Sequence, residues 1–318
     1  MPIIRWGHET EIIDIDWCWK PYLPYGKVSI IEGDGGDGKT TMILTVAALL
    51  SQGIQPPALE RGHLLPSQPC TPITTFYLTN EDEVADSSLK RFIRAGGVAE
   101  RFAYSGELQH HMTIVEDELL SAIEQTHARL LIIDPFQAFL PEGTNMGSIT
   151  KMRAIFTTLS NTAKKTNTAI VLVGHLNKSE GIKDIHRGFG SADIAASVRS
   201  ILMVEMDKKD REKRWVRSIK SNFDESDYTP IRLVLDEDRK LRFEEMEEEA
   251  EEPQTKIEKA KELLNELLAV GPMQIEAIFE ECDVYGIGDR TVRRAAKEIG
   301  VISRTKNGVT TWELPLTN

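Results

Sequence analysis

Apolar and polar residues alternate along the first 243 residues as they do in α/β proteins. Short apolar runs of strand length recur, and stretches with helical spacing separate the earlier runs. Alternation of this kind predicts parallel βαβ units, whereas the last strands follow one another without helices and predict antiparallel additions. The predicted strands are 28–32, 73–78, 129–133, 169–173, 200–205, 215–220 and 231–235, and the predicted helices are 40–50, 87–95, 116–125 and 150–165. Residues 53–72, rich in proline and glycine, predict an inserted loop.

The pattern changes in residues 254–318. A helical apolar stripe at 257–268 ends before Gly271-Pro272, and two further helices are predicted at 273–281 and 289–299. Two strand-like runs, 301–304 and 310–314, then flank Lys306-Asn307-Gly308, which is a hairpin signal. Three helices followed by a β-hairpin predict a small winged helix-turn-helix domain. The predicted organisation is a core at 1–243, an acidic linker at 244–253 and the winged helix at 254–318.

The charge of the chain is unevenly distributed. The 318 residues include 38 Lys and Arg against 50 Asp and Glu, for a formal net charge of −12. Seven of the acidic residues are glutamates between positions 244 and 252, a composition that predicts a solvated linker. Residues 287–306, in contrast, sum to +4. The overall acidity therefore does not exclude nucleic acid as a partner.

Basic side chains cluster on the third tail helix and the hairpin. They are Arg290, Arg293, Arg294, Lys297, Arg304 and Lys306. A recognition helix offers such side chains to phosphates and to base edges of duplex DNA. Winged helices also serve as protein-binding or dimerising modules, and the residues alone leave both interpretations open.

Composition excludes several classes of protein. The first 20 residues carry Glu9, Glu11, Asp14 and Asp16, which a secretory signal would lack, and no apolar stretch reaches membrane-spanning length. We therefore expect a cytoplasmic protein without membrane contact. The three cysteines, Cys18, Cys70 and Cys282, are too widely spaced for a disulfide framework or a zinc site and predict reduced packing residues.

One segment matches the phosphate-loop pattern G-x-x-x-x-G-K-T. It follows the predicted strand 28–32 and opens the predicted helix 40–50, which is the context that the pattern requires. Glycines let backbone N–H groups curl around phosphate oxygens, and the helix N-terminus adds its positive dipole. We expect Lys39 to reach the β- and γ-phosphates of ATP and the Thr40 hydroxyl to ligate Mg²⁺. The predicted nucleotide-binding residues are Gly33, Asp34, Gly35, Gly36, Asp37, Gly38, Lys39, Thr40 and Thr41.

Carboxylates inside and beyond this loop have different consequences. Asp34 and Asp37 would repel a phosphate unless they point outward, so weakened affinity is the most that we expect from them. Asp134 ends the apolar run 129–133, where it is placed to hold the Mg²⁺ shell. Hydrolysis also needs a carboxylate that orients the attacking water, and Glu81, Asp82 and Glu83 follow the second predicted strand.

At residues 76–83 the sequence Phe-Tyr-Leu-Thr-Asn-Glu-Asp-Glu resembles the RecA-like hexameric ATPases, in particular the RepA-type branch related to DnaB-type replicative helicases. The resemblance implies a RecA-like core with a mainly parallel twisted sheet and Glu81 as the catalytic glutamate. It also implies that His175, which ends Val171-Leu172-Val173-Gly174-His175, senses the γ-phosphate.

The resemblance extends to two cations further along the chain. Arg199 follows a segment similar to the family's Arg-Gly-Ser-Ser/Ala motif, which implies an arginine that reaches the nucleotide of a neighbouring subunit. An arginine fork stabilises developing phosphate charge well. Lys220 lies where DnaB-type enzymes have a Lys-x-Arg pair, but Asn222 replaces that arginine. This departure favours the RepA-type branch and gives Lys220 an assisting role across the interface.

The same resemblance implies the partners. Single-stranded DNA would bind loops after the third and fourth core strands, at 141–149 and 177–190, and the second loop carries Lys178, Lys183 and Arg187. Nucleotide at subunit interfaces implies a homo-oligomer, most simply a hexamer. We expect an ATP-hydrolysing DNA motor, a replicative helicase of a plasmid, phage or other mobile element. The alternatives are a recombinase of the RecA or RadA type, an ATP-gated origin-binding or regulatory protein, and a defence or signalling ATPase.

Overall fold

The chain forms two compact units, Met1–Met246 and Glu247–Asn318. The computed structural model describes residues 6, 8, 14–60, 62–80, 84, 87–105, 112–144, 148–174, 197–223, 228–238, 240–244, 256–269, 271–284, 287–306 and 309–315.

The first unit alternates strands and helices up to residue 173 and then continues with strands alone. Its elements in chain order are β1 (Trp17–Trp19), β2 (Leu23–Pro24), β3 (Val28–Glu32), α1 (Lys39–Ser51), β4 (Ala58–Glu60), β5 (His63–Leu65), β6 (Thr74–Leu78), α2 (Ser88–Arg94), β7 (Phe102–Tyr104), α3 (Glu116–Thr126), β8 (Ala128–Ile133), α4 (Ile149–Thr166), β9 (Ala169–Val173), β10 (Ser200–Met206), β11 (Lys213–Ser221), β12 (Ile231–Leu235) and β13 (Leu241–Glu244). Short 3₁₀ turns lie at Ala99–Arg101 and Phe136–Phe139.

A nine-stranded mixed sheet organises this unit. The strand order is β13-β12-β11-β10-β3-β9-β8-β6-β7. The strands from β10 through β7 in that order pair in parallel, whereas β10, β11, β12 and β13 pair antiparallel. An α/β fold with parallel units and antiparallel additions is therefore confirmed. Three parallel strands, β3, β6 and β8, end at the same side of the sheet, where the carboxyl ends of parallel strands form ligand sites.

Two apolar layers cover the faces of the sheet. Helix α1 contributes Met42 and Val46 to the layer on one face, whereas α3 and α4 contribute Leu119 and Phe156 to the layer on the other. The central strands are buried on both faces, which is why β3, β8 and β9 read as continuous apolar runs rather than as alternating patterns.

The predicted loop at 53–72 is more ordered than its composition suggests. It contains the hairpin of β4 and β5, in which Ala58 pairs with Leu65 and Glu60 with His63. Both strands have only three residues, and β5 is largely exposed. Runs this short and this polar carry no periodicity that distinguishes them from a loop.

The second unit has three helices and a three-stranded sheet. In chain order these are α5 (Lys256–Ala269), β14 (Met273–Gln274), α6 (Ile275–Val284), α7 (Asp289–Glu298), β15 (Ile302–Lys306) and β16 (Val309–Glu313), with the strand order β14-β16-β15. A separate core includes Leu264, Ile278, Val292 and Trp312. The predicted helix start at Met273 is wrong, because the backbone of Met273 and Gln274 pairs with β16 and the helix begins at Ile275.

Three findings concern membranes, metals and thiols. Within the described ranges, no helix has the length and apolar character needed to cross a membrane. The same residues contain no cluster of three or more His, Cys, Asp or Glu side chains arranged to hold a metal ion. Cys18, Cys70 and Cys282 are free thiols, and the first and last are buried, as predicted.

Candidate nucleotide-binding site

The phosphate loop connects β3 to α1 at the edge where the parallel strands end. Gly33 passes so close to β10 that a Cβ there would lie 2.2 Å from the carbonyl oxygen of Val204, so no larger residue fits. Gly38 caps α1 with a φ of 91°, a left-handed conformation that glycine adopts at little cost, and its carbonyl accepts the Met42 N–H at 2.8 Å. The positive end of α1 is thereby turned toward the loop.

Lys39 folds over the phosphate loop. Its Nζ donates to the carbonyl oxygens of Gly33 at 2.8 Å and Asp34 at 2.7 Å, and the residue is buried. Burial lowers the pKa of the ammonium group, against the opposing influence of Asp37, Asp134 and Asp34. The charge of Lys39 is thus held by neutral carbonyl groups, which a phosphate oxygen can replace with a stronger interaction.

Asp134 and Thr40 are in direct contact. The Thr40 hydroxyl donates to Asp134 Oδ2 at 2.6 Å, although 94 positions separate the two residues. Tyr77, which is fully buried in β6, donates its hydroxyl to the same oxygen at 3.1 Å. Burial, together with the Asp134 charge, raises the pKa of the Tyr77 hydroxyl, so Tyr77 remains a donor at neutral pH. Ser88, at the start of α2, donates to Tyr77 at 3.4 Å.

These contacts bear on whether the site suits Mg²⁺. A hydroxyl and a carboxylate within 2.6 Å of each other are the oxygen ligands that Mg²⁺ prefers. Thr40 and Asp134 would hold the ion or its water shell, with Tyr77 orienting the carboxylate. The donor set fits the group that the phosphate-loop pattern implies.

The two carboxylates of the loop differ in their surroundings. Asp37 Oδ2 accepts the Asp34 N–H at 2.7 Å, and Asp37 Oδ1 accepts the Met206 N–H at 3.4 Å. The Asp37 carboxylate therefore binds the loop's own backbone to β10, and these N–H donors offset its negative charge. Asp34 is exposed.

A pocket of about 410 Å³ opens beside the loop, a size suited to a small ligand. Several cations line it besides Lys39: Arg91 and Arg94 from α2, Arg214 from β11 and Lys240 before β13. The lining residues are Gly36, Gly38, Lys39, Thr40, Thr41, Thr45, Arg91, Arg94, Ala95, Asp134, Arg214, Leu235, Lys240 and Leu241. Gly36, Gly38, Lys39, Thr40, Thr41 and Asp134 of the predicted site are thus brought together in this pocket.

Sequence reasoning missed Tyr77 and Arg214. The sequence does contain an indication of Arg214. Alternate residues of β11, namely Arg214, Val216 and Ser218, are buried, and an arginine is unusual on the buried face of a strand. Arg91, Arg94 and Lys240 are exposed on unrelated elements, and only the fold brings them to the pocket.

Five predicted site residues lie outside the described part of the chain: Glu81, His175, Lys178, Lys183 and Arg187. The strands that lead to two of them are described. β6 ends at Leu78 and β9 at Val173, and both approach the edge that carries the phosphate loop.

Arg199 and Lys220 lie at the opposite ends of the strands from the phosphate loop. Ser200, which follows Arg199, pairs with Ser29 near the start of β3, whereas Met203 pairs with Glu32 beside the phosphate loop. Lys220 pairs with Ile201 and Arg214 with Met206, so about 17 Å of strand separates Lys220 from Arg214. Neither predicted cation faces the chain's own phosphate loop.

The backbone of Arg199 is held on both sides. Lys220 Nζ donates to the carbonyl oxygen of Val198 at 2.9 Å, and the Asn222 N–H donates to the carbonyl oxygen of Arg199 at 3.0 Å. Burial and the nearby Arg199 charge lower the pKa of Lys220. Arg199 itself is exposed. Lys220 therefore anchors the backbone from which Arg199 projects.

Glu32, the last residue of β3, is buried directly before the phosphate loop. Burial raises the pKa of its carboxyl group to about 7. Because the folded state then holds the Glu32 proton more tightly than the unfolded state does, the contribution of Glu32 to stability is greatest at acidic pH and is lost as the pH rises toward and through 7.

Replacing Glu32 with Gln is therefore expected to raise the free energy of unfolding at pH 8 by up to about 3 kcal/mol. At pH 4 the change is expected to be small, since the carboxyl is mostly protonated in both states. Denaturant titrations at the two pH values check this, with exposed Glu100→Gln as the control. Equal stabilisation by Glu32→Gln at both pH values would contradict the prediction.

The predicted DNA-binding residues of the second unit are all exposed. Arg290, Arg293, Arg294 and Lys297 lie on α7, and Arg304 and Lys306 lie on β15. Three of them have partners within the unit: Arg293 stacks over Phe279, Arg294 pairs with Glu298, and Arg304 pairs with Glu313. Among the residues that the structure describes, Arg290, Lys297 and Lys306 form no ion pair.

Comparisons with known proteins agree with the site. Residues 5–181, which include the phosphate loop and Asp134, match the family described as an AAA domain. The DNA repair protein RadA of Mycobacterium tuberculosis (strain CDC 1551 / Oshkosh) is 24% identical over 232 residues, or 71% of this chain and 42% of the relative. RadA of Brucella abortus (strain 2308) is 30% identical over 160 residues, or 48% of this chain and 29% of the relative.

The chain thus spans less than half the length of these curated relatives. A solved structure, that of the RadB recombinase, is 14% identical with a TM-score of 0.47, and the match covers 69% of this chain and 91% of the other. The names of the curated relatives refer to DNA repair. Since the family match spans more than half of the residues and includes the loop that forms the site, the chain belongs to the AAA domain family.

Proposed function

We propose that the protein is an ATP-hydrolysing motor that acts on DNA, of the RecA-like RepA type related to replicative helicases. The observation that carries the ATPase part is the contact between Thr40 and Asp134 beside the Lys39 ammonium, in a pocket that a nucleotide can enter. This arrangement combines a phosphate cradle, a cation and two Mg²⁺ ligands, which are the parts that phosphoryl transfer requires.

Each group has a defined part in the reaction. Backbone N–H groups from Gly33 to Gly38 and the N-terminus of α1 hold the β-phosphate region, and Lys39 exchanges its carbonyl partners for phosphate oxygens. Bound Mg²⁺ supplies charge neutralisation across the phosphates. Tyr77 keeps the Asp134 carboxylate oriented, and Glu81 orients the attacking water.

The position of Arg199 supports an assembly with nucleotide at subunit interfaces. Arg199 and the phosphate loop lie at opposite ends of the strands, so Arg199 of one subunit contacts a nucleotide only if that nucleotide belongs to another subunit. A head-to-tail contact of this kind closes into a ring when its rotation permits, and we propose a hexamer. Lys178, Lys183 and Arg187 bind single-stranded DNA in its channel.

The second unit is proposed to act as a winged helix that loads or positions duplex DNA. Arg290 and Lys297 on α7 and Lys306 on β15 are exposed and form no ion pair among the described residues. Such side chains are available for phosphate contacts, whereas Arg294 and Arg304 must first leave Glu298 and Glu313.

The experiment that tests the motor compares ATP turnover by the full chain with and without single-stranded DNA, together with unwinding of a forked duplex. We expect stimulation by DNA and ATP-dependent unwinding, both lost in Lys39→Ala. If DNA had no effect on ATP turnover, the proposal of a DNA motor would be contradicted.

A second candidate function, a recombination or repair ATPase, is favoured by the likeness to proteins named DNA repair protein RadA. Both functions share the ATPase core, and the DNA substrate separates them. Exchange or migration of joint DNA molecules without unwinding of a fork would favour the repair function. Sequence-specific duplex binding without either activity would favour a regulatory protein.

A further inference from the structure

Strands β10 and β11 contact the phosphate loop at three positions. The Val204 carbonyl lies against Gly33, the Met206 N–H donates to the Asp37 carboxylate, and the Arg214 side chain lies against Gly38. Since Met206 and Arg214 are partners in the β10–β11 ladder, the last two points are formed by neighbouring residues. The position of Arg214 relative to the loop is therefore fixed by strand pairing rather than by a flexible segment.

The Arg214 guanidinium group is itself oriented by the backbone. Its Nη1 donates to the carbonyl oxygens of Arg211 and Lys213, the latter at 3.0 Å, and the residue is only 8% exposed. A Cβ built on Gly38 would lie 3.1 Å from Arg214 Nε, so the absence of a side chain at Gly38 is what lets this group approach the loop. Arg214 lines the same pocket as Lys39 and Thr41.

A buried guanidinium beside a phosphate cradle has a chemical consequence. Burial of its charge costs free energy, and a polyphosphate in the pocket offsets that cost while gaining charge-assisted hydrogen bonds. The rigid fork of an arginine is better suited to phosphate oxygens than a lysine is. Neither the phosphate-loop pattern nor the family match assigns Arg214 a part in binding.

We propose that Arg214 is a second cation of the polyphosphate site, acting with Lys39 on the nucleotide bound to the same chain. This inference rests on the nucleotide-binding part of the proposed function. It distinguishes two arginines by position: Arg214 serves its own chain's nucleotide, whereas Arg199 at the opposite end of the strands does not.

The test measures binding of a fluorescent ADP analogue to the full chain in the presence of Mg²⁺. Arg214→Gln retains a donor for the backbone carbonyl groups but removes the charge. We expect it to raise Kd roughly tenfold to a hundredfold and to reduce the dependence of Kd on salt. Arg217→Gln, three residues along β11 and paired with Glu205, is the matched control and is expected to leave Kd nearly unchanged.

Arg214→Lys is measured in parallel, because it keeps the charge without the fork. We expect an intermediate Kd, and a loss of at least about threefold in this variant supports the inference even if Arg214→Gln fails to fold. Wild-type affinity in the folded Arg214 variants overturns the inference, as does an unchanged salt dependence in Arg214→Gln. Failure of the wild-type chain to bind ADP would instead contradict the proposed function.

Discussion

ATP turnover by the Lys39→Ala variant is expected to fall about a hundredfold to a thousandfold below that of the wild type. The ammonium group of Lys39 is the cation nearest the carbonyl groups of Gly33 and Asp34, which mark the mouth of the cradle. Arg214, in contrast, approaches the loop at Gly38 rather than at these carbonyl groups. Alanine therefore leaves the transferred phosphate without its principal positive partner.

The same variant is expected to remain folded. Burial lowers the pKa of Lys39, which shows that holding its charge is unfavourable, and alanine is a good residue in the first turn of α1. Lys27→Ala is the control, because Lys27 is an exposed lysine at the other end of β3. Phosphate release assays and thermal unfolding check both expectations. Turnover within a few fold of the wild type in a folded Lys39→Ala protein would contradict the nucleotide assignment.

The sequence predicts strands β3, β6 and β8 to β12 and helices α1 to α4 of the first unit closely, because these elements are long and buried enough to give clear apolar patterns. It does not predict β1, β2, β7 or β13, which have only two to four residues each. Central strands such as β3 and β9 are covered on both faces, so their apolar runs have sharp limits. The prediction weakens where burial ends. The β4–β5 hairpin is short and partly exposed, and β14 is set by backbone pairing with β16 rather than by its own side chains.

Some residues of the candidate site can likewise be predicted from the sequence, and others cannot. The phosphate loop and Asp134 are predictable because the chemistry requires particular residues at particular places along a strand–loop–helix unit. Tyr77 and Arg214 were not predicted, because their contacts join residues 57 positions apart in one case and strand β11 with the phosphate loop in the other. Periodicity indicates which face of a helix or strand a residue lies on, but it does not indicate which distant residues pack against that face.

The concern about Asp37 illustrates a further limit. From the sequence, a carboxylate within the loop indicates repulsion of phosphate. In the fold, the Asp34 and Met206 N–H groups bind that carboxylate, and it joins the loop to β10. The residue type therefore predicts the charge, whereas the tertiary hydrogen bonds determine what the charge does.

Arg199→Ala is expected to lower kcat for ATP by roughly a thousandfold or more, as removal of an arginine finger does, while the affinity for ADP stays nearly unchanged. Lys220 and Asn222 hold the backbone around Arg199, so a substitution of the exposed side chain removes the guanidinium without disturbing β10 or β11. Arg217→Ala on β11 serves as the matched control. Turnover and nucleotide affinity are measured separately for each variant.

Mixing the two inactive variants distinguishes action on a neighbouring subunit from action on the same chain. An Arg199→Ala subunit keeps an intact phosphate loop, and a Lys39→Ala subunit keeps an intact Arg199. In a randomly mixed equimolar ring, about a quarter of the interfaces combine both intact parts, so about a quarter of the wild-type turnover is expected. If Arg199 acted on its own chain's nucleotide, no interface would be complete. Mixed assemblies that remain as inactive as either variant alone would therefore rule out the role of Arg199 across the interface.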